Sequence, residues 1–327
     1  MKKTLFLFLL LIISLTACST ETFETQEYPL YFSVMTHMES SFTDDKNEDV
    51  FNKHVEQLYW AMDLFEEYDA KLTIETEQPF ARAVINSDSP ILTDAIQRGH
   101  GVGTHADFGA REKTSVEFLA QRFRENKALV DQIVGEENNR GVSGGVGPTD
   151  YVLAAEQAGF SYKDGIVYLA YLAQEQSLRP EQETDEEIWK KYHDPAIPEF
   201  SEHIYPRFVE NAEDFIEDPE AEFVLLNGEL GELSSLAEER STCFPDCELT
   251  EEDLEYIYEQ IEAANAIRDP TRVTHLYIHM PMTTYTPKNE VLLRSFFAQM
   301  QELQKQEQIQ WATQGEVYDA KMSEKIE

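Results

Sequence analysis

Apolar residues along this chain come in two alternating kinds: short runs of four or five, and longer stretches in which they recur every three or four positions. Short runs are the pattern of buried strands and the longer periods that of helices with one face on a core, so their alternation predicts repeated strand–helix units with a parallel sheet. Tyr31-Phe32-Ser33-Val34-Met35 is the first predicted strand, and Phe51, Val55, Leu58, Met62 and Phe65 share one face of the helix after it. Lys71 to Ile74 predicts a second strand, and Pro90 to Gln97 a helix that Gly99 ends. Val102 to His105 is a third strand and Val116 to Val134 a long helix. Gly141 to Gly145 predicts a strand with a glycine-rich end, followed by a helix that Pro148 opens and Gly159 closes. Phe160 to Leu172 is extended and rich in tyrosine.

The rhythm breaks over residues 174–220, where prolines and acids are dense, and this segment is expected to be an insertion folded over the main domain. It resumes with a strand at Phe223 to Leu226, a helix carrying Leu254, Ile257, Tyr258 and Ile261, a strand at His275 to His279, a helix over Val291 to Leu303 and a last strand at Ile309 to Ala312. The expected fold class is α/β, a distorted (β/α) barrel of parallel strands with outer helices, occupying residues 29–327.

The N-terminus has a different logic. Lys2 and Lys3 precede an apolar run from Leu5 to Ile13 and then Leu15-Thr16-Ala17-Cys18, a signal peptide too short to remain as a membrane span. Leu-Thr-Ala-Cys resembles the lipobox of bacterial lipoproteins, which implies acylation of Cys18. Residues 1–18 are thus expected to be the signal segment and 19–28 a polar tether. That placement is the cell envelope, lipid-anchored and facing the periplasm or the exterior. The composition fits it, because 26 basic against 63 acidic residues give a net charge of −37. Such a surface repels nucleic acid and anionic headgroups, so membrane contact is expected through the lipid only, and no protein partner is expected. Cys243 and Cys247 flank a Phe-Pro-Asp turn, and in an oxidising compartment their simplest role is a disulfide.

Functional groups of a parallel barrel gather at the C-terminal ends of its strands. Four such ends carry chemistry here: Thr36-His37-Met38-Glu39, His105-Ala106-Asp107, Ser143-Gly144-Gly145 and His279. In extended chain, residues two apart share a side, so His37 pairs with Glu39 and His105 with Asp107, a donor set suited to zinc or another divalent cation. His54 belongs on a helix's buried face, His100 in a loop, and His275 deeper on the face of His279.

The order of these motifs resembles the polysaccharide deacetylase family of carbohydrate esterases. Thr36-His37-Met38-Glu39 stands where that family has a strand ending in T-F-D-D-G. Gly99-His100-Gly101-Val102-Gly103-Thr104-His105 is similar to its second motif, Gly141 to Gly145 with Ala154 to Phe160 to its third, and Leu276-Tyr277-Ile278-His279 to its last. The resemblance implies a divergent, metal-dependent hydrolase that removes acetyl groups from a polysaccharide or oligosaccharide, with a divalent cation such as zinc. It implies Glu39, His105 and Asp107 as metal ligands, with His37 in place of Asp107 as an alternative. His37 is otherwise the base and His279 the acid, and Ser143, Gly144 and Gly145 lie against substrate. Met38 replaces the family's base, Gly109 falls where a second metal histidine is expected, and the bracing arginine is missing unless Arg140 supplies it. Two other readings are a catalytically inactive glycan-binding lipoprotein on the same barrel and a metal-free glycosidase using carboxylates such as Glu39 and Asp107. Tyr168, Tyr171, Trp189 and Tyr285 are aromatic candidates for stacking on sugars.

Overall fold

The structure is a computed structural model that describes residues 26–38, 41–106, 112–164, 176, 182–184, 186–187, 200–212, 216–236 and 248–326. Cys18, Glu39, Asp107, Tyr168, Tyr171, Trp189, Cys243 and Cys247 lie outside the described residues, as do the signal segment and most of the tether.

The frame is a set of short parallel strands. β1 (Leu30–His37) lies between β2 (Leu72–Thr76) and β9 (Thr274–His279), and the sheet continues from β2 through β3 (Gly101–Ala106) and β4 (Gly141–Gly144) to β5 (Tyr162–Lys163). At the far edges stand β7 (Val224–Leu225), parallel to β5, and β8 (Glu229–Glu232), parallel to β9. Only Leu226, Asn227 and Gly228 separate those last two strands. One extended stretch therefore pairs with β5 in its first half and β9 in its second, and it draws the two ends of the sheet together into a curled barrel. β10 (Gln310–Trp311) pairs with the start of β1, and β6 (Arg207–Phe208), from the proline-rich segment, runs antiparallel to β7. The expected distorted barrel of parallel strands is the fold observed.

Alternation within the strands explains which side is which. Leu30, Phe32 and Val34 of β1, Leu72 and Ile74 of β2, and Leu276 and Ile278 of β9 form one apolar layer with Phe51, Leu58 and Phe65 of helix α1 (Glu48–Glu67) and with Phe80, Ile91 and Leu92 from the two helices that follow, α2 (Gln78–Ser87) and α3 (Ile91–Gln97). Their neighbours Ser33, His37, Thr73, Glu75, His275 and His279 face the other way, so the barrel interior is polar and the helices cover an apolar exterior. Helix α4 (Val116–Val134) is capped by Ser115, whose hydroxyl accepts the amide of Phe118 at 3.2 Å. Helix α5 (Tyr151–Gln157) follows β4, and the proline-rich segment supplies the short helix α6 (Phe200–His203). Helix α7 (Glu251–Ile267) carries a capping box between Thr250 and Asp253, and α8 (Glu290–Lys305) and α9 (Gln314–Ile326) complete the chain. Among the described residues no helix is long and apolar enough to cross a membrane.

Deep in the barrel, polar groups satisfy one another. His275 Nδ1 donates to the carbonyl of Asn227 at 2.9 Å, which leaves Nε2 to accept from the Ser33 hydroxyl at 3.1 Å. Tyr277 donates to Glu229 Oε2 at 3.1 Å, and His203 Nε2 to the Glu229 carbonyl at 2.9 Å. His275 has the deeper, packing position expected of it. His100 lies in the loop expected of it, buried just ahead of β3, where its Nδ1 accepts the amide of Leu72 at 3.1 Å. Burial pushes the pKa of His275 down to about 3, and those of His203 and His100 down to about 4.

Two outcomes follow. Gly228 has φ +100°, and a Cβ there would lie 2.0 Å from the carbonyl oxygen of His275. Gly228→Ala should therefore destabilise the fold by about 3 kcal/mol or more, read as a lower denaturant midpoint; an unchanged midpoint would mean that the barrel closes elsewhere. The second concerns acid. The three buried histidines are neutral when folded but take protons below about pH 6.5 when unfolded. Their contribution is complete above that pH and falls away towards pH 4, by up to about 1.4 kcal/mol per pH unit for each. Urea midpoints at pH 7 and pH 5 check this, and equal midpoints would contradict it.

Candidate metal centre

Strand register brings the functional side chains together. His37 ends β1 opposite Glu75 of β2, His105 of β3 lies opposite Ser143 of β4, and His279 ends β9 opposite Glu232 of β8. In-register residues of parallel strands point to the same side, so these groups share the mouth of the barrel. His37, Glu75 and His105 each offer a ligand atom, and those three atoms lie within 4.8 Å of one another. All three residues are buried. The His37 ring stacks on His105 on one side, at 4.2 Å between centroids, and on His279 on the other, at 4.4 Å.

Glu75 is the centre's anion. His37 Nε2 lies 3.4 Å from its Oε2, yet neither carboxylate oxygen accepts a well-formed hydrogen bond. Space for it comes from β3, where a Cβ on Gly103 would approach Glu75 Oε1 to 3.1 Å. Burial works against its charge, but His37 first, then Asp164 and Ser143, outweigh this and hold the carboxyl below the usual range. Asp164, immediately after β5, goes the other way. Burial and then the charge of Glu75 push it well above the ordinary carboxylate range, so Asp164 keeps a proton that Glu75 lacks.

Neighbouring groups fix the rings. His105 Nδ1 is hydrogen-bonded to the Ser143 hydroxyl at 2.7 Å, which fixes the orientation of the ring stacked on His37. The backbone amide of His37 donates to His279 Nε2 at 3.4 Å, and Glu232 Oε2 is 3.9 Å from His279 Nδ1. The donor chemistry fits a divalent cation: two imidazoles and an ionised carboxylate converge in a dry site, the composition that suits zinc.

Of the residues singled out in the sequence, His37, His105, Ser143 and His279 are brought together, whereas Glu39 and Asp107 are outside the described residues. Ser143 orients His105. Gly144 and Gly145 have φ +67° and +66°, and the carbonyl of Gly144 accepts from the buried Lys163 ammonium. Arg140 does not reach the site; it lies ahead of β4, at the opposite end of the strand, and pairs with Asp319 at 2.6 Å. Tyr285 is buried in the apolar layer, its hydroxyl 2.6 Å from that of Thr36, and has no face for a sugar. Glu75 and Asp164 are absent from the sequence reading. The signal for Glu75 was its place in Leu72-Thr73-Ile74-Glu75-Thr76, where polar residues alternate with apolar ones in an otherwise buried strand.

No protein-family model matches the chain, and no curated protein does. Among solved structures, it is similar to a "probable Polysaccharide deacetylase" from Pseudomonas aeruginosa PAO1, with a TM-score of 0.55 and 12% identity over 89% of this chain and 90% of the other. It is equally similar to PuuE allantoinase, with a TM-score of 0.56 and 13% identity over 89% of each chain. A 4-alpha-glucanotransferase from Thermococcus litoralis matches with a TM-score of 0.53 and 14% identity over 89% of this chain, which spans 40% of the glucanotransferase. The chain thus has the deacetylase-type barrel fold, in a divergent form that carries its own set of groups at the strand ends.

Proposed function

We propose that this chain is a metal-dependent hydrolase that removes acetyl groups from a carbohydrate of the cell envelope. The observation that carries the reading is the convergence of His37, Glu75 and His105 within 4.8 Å at the mouth of a deacetylase-type barrel. These three residues would hold the cation, Glu75 in place of the Glu39 and Asp107 that the sequence points to. When bound, a divalent cation lowers the pKa of water and polarises an acetyl carbonyl. His37, as a ligand, is then unavailable as a base. His279, whose ring is stacked beside His37, is the proton donor to the departing amine or alcohol. Asp164 holds a proton against Glu75 and keeps a second negative charge out of the centre until a cation is present. Residues 1–18 and acylation of Cys18 supply the envelope location in this reading, and a disulfide between Cys243 and Cys247 would be formed there.

A metal-free glycosidase fits less well. Glycosidases separate their two carboxyls by about 5 Å or more, whereas Asp164 is near enough to Glu75 for the Glu75 charge to raise its pKa. A purely glycan-binding protein has no use for a buried carboxylate without good hydrogen bonds, an arrangement that lowers stability unless a cation compensates it.

Zinc titrated into the full chain, purified without chelator, should bind at about one ion per chain and raise the melting temperature. In Glu75→Gln, which keeps shape and removes charge, uptake and the melting shift should both disappear. Ser143→Ala, which frees the His105 ring, should weaken zinc binding by about 10- to 100-fold with the barrel intact. Absence of uptake by the wild-type chain would sink the hydrolase reading.

A further inference from the structure

Beside His105 opens a cleft of about 170 Å³. That is the space of about six water molecules, enough for a single small ring. Gln78, Pro79 and Arg82, all from the first turns of α2, line it together with Asn126 of α4, and Phe42 contributes an aromatic ring that is 58% exposed. More than half of Phe42 is exposed and it lines the cleft beside the candidate metal centre, so it offers a ligand there an aromatic surface.

The polar groups are already organised. Arg82 Nε donates to Asp45 at 2.8 Å and its Nη1 to the Gln78 side-chain oxygen at 3.2 Å, while the Gln78 amide donates to Asn126. A guanidinium has five N–H donors, so most of this fork remains to be offered while its orientation is fixed. Charge in the cleft is balanced. Arg82 and Arg122 are offset by Glu77, which also lines it, and by the Asp45 that holds Arg82. A free anion would meet those carboxylates. A neutral ring with adjacent hydroxyls would instead find donors and acceptors side by side, and an aromatic face for its C–H side.

We propose that this cleft is a subsite for one uncharged sugar ring, a unit along a glycan from the one that reacts at His37, Glu75 and His105, and that Phe42, Gln78 and Arg82 set that preference. The assignment of the reacting unit rests on the hydrolase reading above; the cleft's affinity for a sugar does not.

The test is calorimetric titration of the full chain with N-acetylglucosamine and acetylated xylose, each as one to four linked units. Oligomers of two or more units should bind about tenfold tighter than the single unit, and Phe42→Ala and Arg82→Gln should each abolish about tenfold of that gain. Phe42 is exposed, so the denaturant midpoint of its variant reports that the fold is intact. Equal affinity for one and two units, unchanged oligomer binding in both variants, or binding only of oligomers that carry uronic acid would each overturn the proposal. Zinc titrated into the same samples separates the two readings. Oligomer binding that depends on Phe42 without zinc uptake keeps the subsite and removes the hydrolase; zinc uptake with deacetylation, but oligomer binding indifferent to Phe42, does the reverse.

Discussion

Everything at the mouth of this barrel depends on one buried charge, the carboxylate of Glu75. It is fully enclosed, and an isolated carboxylate in such a place is expensive. The fold answers with positioned neighbours: His37 on the adjacent strand, Asp164 holding the proton, and a glycine at 103 that leaves room for the side chain. None of these gives the oxygens a well-formed hydrogen bond. A buried anion surrounded but not satisfied is what a cation site requires of its protein before the cation arrives.

Barrel closure places that charge. β1 is held between β2 and β9 in fixed register, and a slip of one residue would turn His37 outward into the apolar layer. Closure comes from the single stretch from Val224 to Glu232, which changes partners at Gly228. The close approach of Gly228 to the backbone of His275 links the joint to the strand that carries His279. The polar layer of Ser33, His275, Tyr277 and Glu229 lies in the interior below the mouth, and the largest apolar core lies between the strands and the outer helices.

Much of this architecture was legible in the chain. The helices at 48–67 and 116–134 follow from apolar residues three and four apart, and the strands at 30–37, 101–106 and 274–279 from short buried runs with a histidine at or next to the end. Other elements were hidden for physical reasons. Gln78-Pro79 looks like a break, although proline in a first turn opens a helix, and α2 begins there. Gly228 and Gly231 look like a turn, yet their positive φ values belong to the irregular strand that closes the barrel. Glu75 and Asp164 escaped notice because each stands alone in a strand end without a histidine two residues away. Their partners come from neighbouring strands, and register, which pairs them, is not written in any one segment.

The most direct test of the centre is a crystal grown with zinc and measured at the zinc absorption edge. This account predicts one anomalous peak at about 2.0–2.2 Å from a nitrogen of His37, a nitrogen of His105 and an oxygen of Glu75. A peak ligated by other residues, or none at this mouth, would contradict it.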